Sequence, residues 1–157
     1  MLNRIRQLFQ QNQDSDAAAP GAHPHEEVRL AAAALLVEAA SLDGSFDDDE
    51  RQAVARTLRD HFGLNEEELA TLMTAAEARQ AASNQLLDFT RAIKAHYSPE
   101  ERIEIIEMLW EVAYADGVLH DYEASLLRRV GGLIYVPDRE RGAARQRVLA
   151  RLGIAGD

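Results

Sequence analysis

From Glu26 onward the apolar residues recur every three to four positions, the spacing of one face of an α-helix, and no stretch alternates as a strand would. Val28, Ala32, Leu35, Ala39 and Leu42 form the first stripe and predict a helix over about 26–42. A second helix is predicted over 48–62, with Asp47 as its cap, Glu50 completing a capping box and Gly63 closing it. Asn65 and Glu68 open a third helix that carries Leu69, Leu72, Met73 and Ala76 and runs to about Ala81. A fourth spans 84–97 with Leu86, Phe89 and Ile93. Ser98-Pro99-Glu100-Glu101 combines a cap, a first-turn proline and a capping-box glutamate, so a fifth helix starts there and runs to about 115. A sixth is expected over 120–134 and a seventh from Pro137-Asp138 to Leu152. About seven short helices with short connections predict an all-α compact bundle.

Ahead of the bundle, residues 1–11 carry Leu2, Ile5, Leu8 and Phe9 on one side and Arg4 and Arg6 off it, an amphipathic helical pattern. Residues 12–25 are rich in Gln, Asp, Ala, Pro, Gly and His and read as a flexible linker. The division is therefore an N-terminal amphipathic helix (1–11), a tether (12–25) and one helical domain (26–152). The amphipathic helix could dock on the body or on a partner. Two arginines and four apolar residues would give weak peripheral membrane contact at most. No secretory leader and no apolar run long enough to span a bilayer is expected.

Residues 35–57 and 108–130 repeat one pattern at an offset of 73. Glu38, Asp43, Gly44, Asp48 and Glu50 match Glu111, Asp116, Gly117, Asp121 and Glu123. The repeated unit is helix, Asp-Gly turn, helix, and two copies predict a pseudo-two-fold body. What repeats is acidic as well as apolar. Several carboxylates gathered at tight turns, expected to have no Lys or Arg as neighbours, suit hard cations. The six matched acids Glu38, Asp43, Glu50, Glu111, Asp116 and Glu123 are the leading candidates, with Asp47, Asp48, His120 and Asp121 in support. The spacing is not an EF-hand, because Asp-Gly stands first and the glutamate follows seven residues after the aspartate. Oxygen donors favour Ca²⁺, Mg²⁺ or Mn²⁺ over Zn²⁺. The same residues have a purely structural reading. Glu50 and Glu123 stand at capping-box positions, Asp47 to Asp49 suit a helix N-terminus, and Glu111 shares a flank with Glu104 and Glu107 that looks solvated.

Charge narrows the partners. The chain has 27 acids against 17 Lys and Arg and a net charge of −10. Residues 26–127 hold 22 acids and 8 bases, a net of −14, which argues against nucleic acid. Residues 128–157 hold 7 Arg and 3 acids, a net of +4, which reads as a solvated face beside acidic neighbours. The absence of cysteine excludes disulfides and thiolate metal sites. His23 and His25 fall in the tether, and His61 and His96 near helix ends. No phosphate loop, dinucleotide fingerprint, nucleophile elbow or zinc-protease motif occurs, so no enzymatic activity is expected.

The segments LLVEAASLDGSFDDDE, SPEERIEIIEMLWEVAYADGVLHDYEASLLRRVGGLI and VPDRERGAARQRV resemble the TerB-like family of tellurite-resistance proteins and their relatives over about residues 27–150. The resemblance implies an all-helical, internally repeated domain in the cytoplasm, in some members at the inner membrane. It implies a metal-binding cluster at Glu38, Asp43, Glu50, Glu111, Asp116 and Glu123, and a link to tellurite and chemical-stress resistance. Related domains occur in co-chaperones that carry a J domain, which this chain lacks. Two functional expectations follow. One is a non-enzymatic module binding a divalent cation through the paired acids. The other is a metal-free adaptor whose inter-helix grooves hold a partner protein's helix, steered by the acids.

Overall fold

The computed structural model describes residues 24–42, 44, 46–82, 85–115 and 119–154. They form α1 (Pro24–Ala40), α2 (Asp48–Phe62), α3 (Glu66–Ala82), α4 (Leu86–His96), α5 (Pro99–Ala113), α6 (Asp121–Leu133) and α7 (Asp138–Leu152), with no strand among them. No helix among the described residues is long and apolar enough to cross a membrane. The amphipathic segment 1–11, most of the tether, and Asp43 and Asp116 lie outside the described residues. Helix α1 begins at Pro24, two residues ahead of the start its stripe predicts.

Side chains fix three of the starts. Asp47 Oδ1 accepts from the Glu50 N–H at 2.8 Å, and Glu50 Oε1 accepts from the Asp47 N–H at 3.3 Å. Asn65 and Glu68 exchange the same pair of bonds at 2.8 and 3.0 Å, and Ser98 and Glu101 at 3.2 and 2.9 Å. Each box satisfies backbone donors that the first turn would otherwise leave unpaired. Ser98→Ala is expected to cost about 1 kcal/mol of stability in urea unfolding, and Ser98→Asp to restore most of it. A loss of under a few tenths of a kcal/mol from Ser98→Ala would deny the cap that role.

Helix α1 stops at Ala40, earlier than its apolar stripe suggests. The Ser41 hydroxyl donates to the Val37 carbonyl at 2.6 Å, alongside the Ser41 N–H at 3.0 Å. Such side-chain bonding competes with continued helix. Gly44 follows at φ +89, a conformation that side chains with a Cβ resist, so the turn itself requires the glycine of the first Asp-Gly pair.

The larger departure is that α1 is buried all round. Val28 and every residue from Ala31 to Val37 is at most 1% exposed. A helix apolar on all sides belongs inside a bundle, not on its surface. Its neighbours are α2, α3, α4 and α5, and its run of alanines lets them approach closely. Helix α5 is the second hub, packed on α1, α2, α6 and α7. Trp110 of α5 is core, 6% exposed, and its indole N–H donates to the Arg141 carbonyl at 3.2 Å. A Cβ on Gly131 would meet Arg141 Cδ at 3.4 Å, so the small residue lets α7 lie close to α6.

Candidate functional site

The capping boxes also place the site. Glu50 is the third residue of α2 and Glu123 the third of α6, so these matched acids of the two repeats each sit in a first helical turn. Both line one cleft of about 530 Å³, together with Asp47, Asp49 and His120. Ala40 of α1 and Ala113 of α5 also line it, so it opens where the two helix pairs meet. Glu123 Oε1 accepts from the His120 N–H at 3.1 Å, as Glu50 does from Asp47. The His120 and Tyr122 rings stack beside it, 5.4 Å between centroids and 1° from parallel. Asp48 and Asp121, the first residues of α2 and α6, are exposed and lie outside the lining.

Glu38 and Glu111 hold matching places in the repeat but turn to different neighbours. Glu38 Oε2 accepts from Gln80 Nε2 of α3 at 2.7 Å and lines a separate groove. Glu111 accepts from His61 Nε2 at 3.0 Å and from Arg151 Nη2. Its side chain is 16% exposed, so it is not on a solvated flank. Arg151 and Arg147 of α7 also bind Glu107, at 2.8 and 3.0 Å, and the other His61 nitrogen lies 3.7 Å from Glu104. Much of the basic carboxyl-terminal segment therefore meets the acidic face of α5, as its charge implied. The expectation that the paired acids stand clear of arginine is overturned, since Arg151 holds Glu111 and Arg56 lines the cleft with Glu50 and Glu123.

These contacts shift two groups. The hydrogen bond to Glu111 raises the His61 pKa above its ordinary value, against the opposing pull of burial. Burial pushes Glu111 upward, but its bonds from His61 and Arg151 outweigh that and hold it below the usual carboxylate range. Nothing in the local sequence points to this network, because its members are 40 to 50 residues apart.

Of the four described members of the six-acid set, the structure thus brings Glu50 and Glu123 together and sends Glu38 and Glu111 elsewhere. Among the described residues no three His, Asp or Glu side chains are grouped as a metal-ion cluster; Asp43 and Asp116 are not among them. The cleft's carboxylates are oxygen donors of the type a hard divalent cation takes, whereas the His120 imidazole is a donor that suits transition metals. The family model described as tellurite resistance protein TerB matches residues 29–146. This chain belongs to the TerB family. The match covers α1 almost from its start and ends within α7, so the cleft and both repeats lie inside the TerB domain. No curated protein and no solved structure gives a significant match. The TerB family is associated with tellurite resistance.

Proposed function

We propose that this TerB-family chain is a non-enzymatic binding module that takes a divalent cation in the cleft between the starts of α2 and α6, and that it serves tellurite or chemical-stress resistance in that form. The observation that carries the reading is the pairing of Glu50 and Glu123, equivalent residues of the two repeats, with Asp47, Asp49 and His120 around one cleft. Like-charged groups so placed repel one another, and a bound cation offsets that repulsion while tying α2 to α6. Capping does not compete with this role, because a carboxylate has two oxygens and several acceptor positions. Asp43 and Asp116 are the further ligands to test. Arg56 offsets part of the cleft's negative charge, and Glu38 and Glu111 act outside it as partners of Gln80, His61 and Arg151.

Calorimetric titration of EDTA-stripped protein with Ca²⁺, Mg²⁺, Mn²⁺ and Zn²⁺ tests the reading. Glu50→Gln with Glu123→Gln keeps both capping bonds and removes two charges. Saturable binding in the wild type should weaken at least about tenfold in this pair and in Asp43→Asn with Asp116→Asn. Metal-free stability of the Gln pair should stay within about 0.5 kcal/mol of wild type. Cation at a hundred times its Kd should raise wild-type stability by about 2.7 kcal/mol. Undiminished binding in both pairs would place the cation elsewhere, and no binding in the wild type would leave the acids as caps alone.

A further inference from the structure

The groove that Glu38 lines has a character opposite to the cleft's. It holds about 680 Å³ between the end of α1, the start of α4 and the second half of α6. Leu42, Leu86, Leu87, Leu126 and Leu133 supply its apolar wall. Leu87 is 52% exposed, in a domain with few large apolar side chains on its surface. Gly132 also lines the groove, and a Cβ built there meets nothing within 4 Å, so an occupant can come down onto the α6 backbone.

The rim is basic. Arg128 and Arg129 line the groove from α6, both exposed and neither in an ion pair with another described residue. Elsewhere at this end of the chain, Arg141, Arg147 and Arg151 are paired with Asp138, Glu107 and Glu111, and Arg145 donates to the Tyr114 hydroxyl. Along α4, Leu87, Arg91 and Lys94 fall at i, i+4 and i+7, one exposed helix face, so the basic character continues away from the groove. Lys94 Nζ lies 4.8 Å from the ring centre of Tyr135, itself 70% exposed. Glu38 is the acid in the described lining, and its carboxylate already accepts from Gln80.

We propose that this groove docks an amphipathic helix of a protein partner, one with an apolar stripe at i, i+3, i+4 and i+7 and Asp or Glu flanking it. The leucine wall takes the stripe, as in other helix-in-groove complexes, and Arg128 and Arg129 select the acidic flank. The concave shape suits a helix better than a flat lipid surface. The charge is the reverse of what an acid-steered adaptor would need. This role is independent of the cation cleft and stands or falls without it.

The test uses the full chain and two designed helical peptides with the same leucine stripe, one flanked by Glu and one by Lys, read by fluorescence anisotropy. Phosphatidylglycerol vesicles form a third arm. The Glu peptide should bind saturably, at least about tenfold tighter than the Lys peptide, and weaken with added salt. Arg128→Glu with Arg129→Glu should cost at least about tenfold in affinity, and so should Gly132→Phe, which fills the groove. Both variants should keep the wild-type thermal midpoint, because all three positions are exposed in the groove lining and a Cβ on Gly132 meets nothing within 4 Å. Equal binding of the two peptides, binding of neither, or affinity indifferent to both variants would overturn the proposal. Vesicle binding that needs the same arginines while the Glu peptide fails would assign the face to anionic lipid instead.

Discussion

Leu35→Ala is expected to lower the free energy of unfolding by about 3–5 kcal/mol, the upper part of the range for a buried leucine. Leu35 is 0% exposed and sits midway along α1, where α2, α3, α4 and α5 all close on one helix. Truncation there removes apolar contact and leaves a cavity that four elements cannot easily collapse into. A domain of this size has about 5–15 kcal/mol in total, so the variant should unfold at much lower urea with an unchanged m value. Leu87→Ala, at a position 52% exposed, should change stability by less than about 0.5 kcal/mol. Similar losses at the two positions would mean that α1 is not the buried axis of the bundle.

The second large effect is expected at the ion network joining α2, α5 and α7. Glu111→Ala removes the acceptor that His61 and Arg151 share, leaving the part-buried His61 without its 3.0 Å partner and the exposed Arg151 with Glu107. A cost of about 2–3 kcal/mol is expected near pH 6, in the presence of chelator so that no metal contributes. The network also sets a pH dependence. His61 is raised in the fold, so its contribution is whole below its ordinary value of 6.5 and is lost as pH climbs through the higher folded value. Glu111 is lowered, so its contribution is whole above its ordinary value of 4.5 and is lost as pH falls through the lower folded value. Wild-type stability from this network should therefore be greatest between those two ordinary values and decline on the alkaline side by at most about 1.4 kcal/mol per pH unit. His61→Ala should flatten that alkaline decline. Denaturation curves at stepped pH that fall equally steeply in wild type and His61→Ala would remove His61 from the account.

What could be read from the chain, and what could not, divides by sequence distance. The starts of α2, α3 and α5 were legible because Asp47 with Glu50, Asn65 with Glu68 and Ser98 with Glu101 complete their bonds within three residues. Glu50 and Glu123 were legible as a pair because a repeat at constant offset carries them to equivalent helix starts. Glu38 and Glu111 do not line the cleft that holds Glu50 and Glu123. Their direction is set by Gln80 and by His61 and Arg151, which lie 40 to 50 residues away and follow no short-range rule. The burial of α1 was half visible. Its stripe gave the helix, but alanine is neutral in such patterns, and the alanines from 31 to 34 hid the fact that every side was apolar enough to cover.

That central position has a cost during synthesis. Helix α1 leaves the ribosome ahead of α3, α4 and α5, which cover it, and α5 ends at Ala113. At ordinary elongation rates the wait is on the order of 10 s, long against the microseconds in which a helix forms. Through that interval a helix apolar on every side has only α2, then α3 and then α4 to shield it. Nascent chains stalled before α5 should thus engage general chaperones and proteases, whereas those stalled beyond it should not.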